Sequence, residues 1–133
     1  MFSHSEWAIL VSKLRQLTES GKVLWNLEGN TSLSVTVGKT IYRLGARDED
    51  DAPPWALYVI QMSNKYTLEP ERLIDTLNGE YGEESDVKPG TLVPGLRDVA
   101  YRMALGGPQL AKDLLSEMAA IDPTEPPKYG LPF

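Results

Sequence analysis

The chain has 133 residues, 41% of them hydrophobic and 24% charged, with 19 acidic side chains against 13 basic ones and a formal net charge of -6. A chain of this length folds as one domain and hides about 68% of its unfolded surface, enough for a core without disulfides or a structural metal. There is no cysteine and one histidine, which excludes thiol nucleophiles, thiolate zinc sites, iron-sulfur clusters and His-His metal pairs, so neither cofactor nor metal is expected.

The charge is unevenly spread. Residues 1 to 47 carry six basic and three acidic side chains (+3), residues 48 to 86 carry two basic and eleven acidic (-9), and residues 87 to 133 carry five of each. An acidic middle third argues against nucleic acid, whose phosphates need clustered Lys and Arg, and suits a basic protein partner. The start MFSHSEWAIL has no basic region ahead of an apolar run, so no signal peptide is expected. The most membrane-like stretch, Trp55 to Ile60, is about a third of the ~20 residues a spanning helix needs. A cytoplasmic protein without a membrane partner is the expectation.

In chain order, Ser3-x-x-Glu6 has the spacing of a capping box, in which the hydroxyl and the carboxylate satisfy free amides at a helix start. Trp7, Leu10, Val11, Leu14 and Leu17 follow at helical spacing and Ser20-Gly21 closes the segment. The period then changes to two. Val23, Trp25 and Leu27 alternate with polar residues, as do Leu33, Val35 and Val37, which predicts two strands. Gly38-Lys39 fits a tight hairpin turn into a third strand, Thr40 to Leu44, and Trp55 to Gln61 forms a fourth.

Glu69-Pro70 ahead of Leu73, Ile74 and Leu77 reads as a short helix stopped by Asn78-Gly79. Glu80 to Pro94 has little periodicity and reads as a mobile loop. Leu96, Val99, Ala100 and Met103, then Gly106-Gly107, then Pro108 with Leu110, Ala111, Leu114, Leu115 and Met118 predict a helical hairpin. Four prolines among Asp122 to Phe133 predict an extended tail. The expected architecture is a single α+β domain over residues 1-121: an N-terminal helix, a four-stranded antiparallel meander, then a short helix and a C-terminal hairpin on one face of the sheet.

Motifs for chemistry fail on inspection. Gly38-Lys39-Thr40 resembles the end of a phosphate-binding loop, but position 33 is Leu and the context is strand to strand. His4, the natural candidate for a general base, lies four residues from the chain start beside two serines, poorly placed for a triad. In Asp48-Glu49-Asp50-Asp51 the alternate ligands Asp48 and Asp50 fit a calcium loop, but positions 52 and 53 are Ala and Pro and no helix pattern flanks the run.

The same features describe a binding surface better. Asp48, Glu49, Asp50 and Asp51 precede Ala52-Pro53-Pro54, which stiffens the approach to Trp55, giving an acidic rim beside an aromatic anchor. Tyr81 with Glu83 and Glu84 repeats that composition in the second acidic stretch. The sequence therefore points to a small non-catalytic protein-binding domain that engages a basic partner through residues 48-86. Its alternatives are a homo-oligomeric accessory subunit, an immunity- or antitoxin-like neutraliser of a basic effector, and an enzyme of unknown class.

Overall fold

The structure is a computed structural model and describes residues 1-29, 31-47, 53-63, 66, 70-121 and 124. The acidic run Asp48 to Asp51 and almost all of the proline-rich segment 122-133 lie outside the described residues.

Helix α1 (His4–Glu19) begins with the expected capping box: Ser3 Oγ accepts from the Glu6 amide at 3.1 Å while Glu6 Oε1 accepts from the Ser3 amide at 2.9 Å. The bond from the Ser3 amide foremost, with the Ser3 side chain next, holds the Glu6 carboxyl below its ordinary value. Trp7, Val11, Leu14 and Thr18 recur at three- and four-residue intervals and are buried, so the helix turns one face inward along its whole length. At its end Gly21 takes φ +73°, and the Lys22 and Gly21 amides donate to Leu17 and Thr18 carbonyls, the left-handed close for which glycine is suited. Thr18 is fully buried yet satisfied, donating to the Leu14 carbonyl at 2.7 Å and accepting from Trp25 Nε1 at 2.9 Å.

Five strands form one antiparallel meander in sequential order: β1 (Asn26–Glu28), β2 (Ser32–Val37), β3 (Thr40–Ala46), β4 (Trp55–Gln61) and β5 (Arg72–Asn78). The register sets Leu27, Leu33, Leu44, Leu57 and Leu77 opposite one another across the sheet. The three central leucines are 0% exposed, so the seam of the core is one row of identical side chains on the inner face. A 3-10 turn (Pro89–Leu92) leads into α2 (Val93–Ala104), which adds Val93, Leu96 and Ala100 to the same core. Helices α1 and α2 thus cover the inner face, and α3 (Gly107–Ala119) folds back against α2. Gly106, at φ +69°, makes the reversal between them.

The α+β architecture and the helical hairpin follow the sequence pattern, with one correction: the segment expected to be a short helix is β5, and the sheet has five strands. Leu73, Ile74 and Leu77 imitate a helical stripe because β5 is bulged. Val59 pairs with Asp75 and Ile60 with Leu73, leaving Ile74 without a partner, and an extra residue breaks the period of two. A smaller difference concerns β1. The alternation from Val23 suggested a longer strand, but pairing starts at Asn26, and Trp25 is consumed by the core and by its bond to Thr18.

The N-terminal segment is anchored on β5. Asp75 accepts from the Phe2 amide at 2.9 Å and from the Thr76 amide at 2.9 Å, with the Met1 amino group 3.5 Å away. The Phe2 bond foremost holds the Asp75 carboxyl below its ordinary value. Phe2 then meets Trp7 edge to face, ring centroids 5.0 Å apart. No described helix is long and apolar enough to cross a membrane.

Candidate functional site

The segment between β5 and the 3-10 turn, expected to be a mobile loop, is closed by hydrogen bonds. At its root the Gly79 amide donates to the Trp55 carbonyl at 2.7 Å and the Glu80 amide to the Gly90 carbonyl at 3.0 Å. Both glycines are required by close approach: a Cβ on Gly79 would collide with the Trp55 carbonyl, and one on Gly90 would lie 2.5 Å from the Asn78 oxygen. At its far side the buried Thr91 hydroxyl accepts from the Ser85 amide at 2.9 Å and donates to the Lys88 carbonyl at 2.6 Å. Ser85 and Lys88 pair as an isolated bridge, and Ser85 Oγ accepts from the Val87 amide at 3.2 Å. Satisfying these backbone groups internally fixes the loop's shape without burying its side chains.

Those side chains are of two kinds. Tyr81 and Val87 are 72% and 77% exposed. Around them stand the exposed carboxylates of Glu80, Glu83 and Asp86, which make no ion pair among the described residues. Glu84 differs: Arg15 Nη1 lies 3.4 Å from its Oε1, while Arg15 Nε donates to Glu19 at 2.9 Å. The Glu19 bond, with both carboxylates nearby, keeps Arg15 firmly protonated. Glu84 is therefore a tether from the loop to α1, and the unspent acidity belongs to its neighbours. A depression of about 540 Å³ runs along the loop between Glu80, Tyr81, Glu83, Val87 and Lys88.

Trp55 occupies a separate environment. It opens β4 after the cis Pro53-Pro54 peptide and is half-buried. The Arg97 guanidinium of α2 lies 4.3 Å from the Trp55 ring centroid and 4.3 Å from that of Tyr101, a cation held by two aromatic faces. Arg97 makes no ion pair among the described residues, and its Nε is buried without a hydrogen-bond partner.

Of the eight residues singled out in the sequence, Tyr81, Glu83 and Glu84 therefore share one ordered loop. Trp55 is joined to that loop through its backbone bond to Gly79, while its ring engages Arg97. Asp48, Glu49, Asp50 and Asp51 lie outside the described residues. Sequence reasoning missed Arg97 and Tyr101, whose four-residue spacing on a helix was the available signal. It also missed Thr91, whose role depends on a chain reversal that leaves no local pattern.

His4 is exposed at the start of α1. No group of three or more His, Cys, Asp or Glu among the described residues is placed to hold a metal ion. Comparison with protein-family models, curated proteins and solved structures found no match to this chain.

Proposed function

We propose that this domain is a non-catalytic protein-binding module that engages a basic partner through the acidic surface contributed by residues 48-86. The observation that carries this reading is the Tyr81 loop: exposed Tyr81 and Val87 ringed by the unpaired carboxylates of Glu80, Glu83 and Asp86, on a backbone already closed by Thr91. A pre-shaped loop loses little conformational freedom on binding, and carboxylates around an aromatic complement Lys and Arg on the other side. Arg97 clamped on Trp55 adds a rigid aromatic patch beside the loop's root.

The test is affinity capture from a native lysate, followed by titration of the captured and purified partner against wild type and against the triple variant Glu80→Lys, Glu83→Lys, Asp86→Lys. Binding should weaken with added salt, and the variant should lose roughly ten-fold or more in affinity. Equal affinity for both proteins removes the proposal.

A second reading, self-association, is favoured by one observation. Helix α3 buries none of its residues, and Leu110, Leu114, Leu115 and Met118 are 52%, 45%, 65% and 65% exposed. A row of that kind is what two copies would cover in a symmetric contact. Sedimentation separates the readings: a self-assembling subunit is dimeric at micromolar concentration and becomes monomeric as Leu114→Glu, whereas a docking module is monomeric throughout.

A further inference from the structure

Among the described residues no helix lies on the outer face of the sheet, and its middle is hollow. Ser32, Gly45 and Ala56 lie side by side across β2, β3 and β4, next to a row formed by Ser34, Arg43, Tyr58 and Thr76. The small residues leave a depression of about 560 Å³ between Ser32, Arg43, Gly45 and Tyr58 at one end and Ile60 and Leu73 at the other, within the size range of small-molecule sites.

Gly45 has no backbone reason to be glycine. Its φ is not positive, and a Cβ there would meet Ser32 Oγ at 3.6 Å and Tyr58 Cε2 at 3.9 Å, ordinary contacts. Glycine inside a strand weakens it, and often marks close approach by a ligand. What glycine does here is keep the floor open. The bulge at Ile74 lies on the neighbouring strand and sets Leu73 opposite Ile60, completing an apolar wall.

The polar groups in the hollow have hydrogen-bonding capacity left over. Arg43 Nε is 3.5 Å from Glu28 Oε2 and has no hydrogen-bond partner, while Ser34 Oγ donates to the other oxygen, Glu28 Oε1, at 2.7 Å. Arg72, at the apolar end, donates to the neutral Gln61 Oε1 at 2.7 Å and pairs with no carboxylate among the described residues. The Tyr58 hydroxyl reaches the Ala46 carbonyl only at 3.5 Å. A guanidinium offers five donors in a planar fork, so a planar acceptor suits the hollow. Charge decides which one. Glu28 beside Arg43 offsets that cation, so a doubly charged phosphate would meet repulsion that a single carboxylate avoids.

We propose that the outer face binds a small organic monocarboxylate, its carboxylate on Arg43 and its apolar body along Ile60 and Leu73. None of these residues belongs to the Tyr81 loop, so the site stands or falls independently of the docking reading.

The experiment is a two-dimensional amide NMR titration of the full chain with sodium benzoate, sodium hexanoate, benzyl alcohol and inorganic phosphate. Variants Gly45→Val and Arg43→Met are run alongside, with their folding checked by thermal melting. The expected result is saturable shifts at Gly45, Tyr58, Ile60 and Leu73 with a carboxylate, at roughly millimolar Kd. Benzyl alcohol and phosphate should bind at least roughly ten-fold more weakly, and either folded variant should lose the response. No saturable shift with either carboxylate, an equal response to benzyl alcohol or phosphate, or an unaltered response in the folded variants overturns it. If Gly45→Val fails to fold, Arg43→Met alone decides.

Discussion

Helices α1 and α3 look alike in sequence and behave differently in the fold. Both repeat apolar residues at helical spacing, yet α1 buries Trp7, Ala8, Val11, Leu14 and Thr18, whereas α3 buries nothing. The difference is what lies opposite. α1 shares the inner face of the sheet with α2, against the leucine row and Trp25, while among the described residues α3 packs mainly on α2. A hydrophobic period therefore states which face of a helix is apolar, not whether this chain covers it. An apolar row left exposed among the described residues is surface available for association.

Mutations can break that comparison or sharpen it. The largest effect is expected from Leu14→Ala on α1 or Leu44→Ala in the leucine row. These side chains are 4% and 0% exposed, and each truncation should cost about 2-5 kcal/mol in denaturant unfolding. Next is Thr18→Val, which keeps the shape but strips Trp25 Nε1 of its acceptor in a fully buried site. A loss of about 1-3 kcal/mol is expected, and a near-neutral result would mean that the Thr18-Trp25 bond does not fix the α1 to β1 connection.

A smaller, pH-dependent effect belongs to Asp75. Its carboxyl is held below the ordinary value of 3.8 in the folded chain, so its contribution is complete above that value and is lost as the pH falls through the lowered one. Stability measured down the acid limb should fall less steeply in Asp75→Asn than in wild type; parallel curves would remove Asp75 as the anchor of the N-terminal segment. The smallest effect is expected from Leu114→Ala, which should change stability by no more than about 0.5 kcal/mol. A loss comparable to that of Leu14→Ala would show that α3 is covered in solution.

The fold was legible where one residue pattern meant one thing. Ser3 and Glu6 marked the start of α1, and the strict alternation of β2 placed Leu33 and Val35 inward. It failed at β5, because the bulge at Ile74 turned a strand's alternation into a false helical stripe, and nothing local announces a bulge. The site was legible in composition and illegible in connection. Tyr81, Glu83 and Glu84 stood out by type, but the contacts that distinguish them come from distant parts of the chain: Arg15 to Glu84 across 69 positions, and Gly79 to Trp55 through backbone. The acidity counted in residues 48-86 is likewise not one quantity, since Asp75 binds the N-terminal segment and Glu84 binds Arg15, leaving Glu80, Glu83 and Asp86 as the loop's charges without an ion pair among the described residues.

The central claim is that those carboxylates, with Tyr81 among them, recognise a basic partner. It is tested most directly by the affinity of the purified partner for the Glu80→Lys, Glu83→Lys, Asp86→Lys variant relative to wild type, with both proteins shown to melt at the same Tm. A loss of roughly ten-fold or more is expected; equal affinity of the two folded proteins would show that these carboxylates do not recognise the partner.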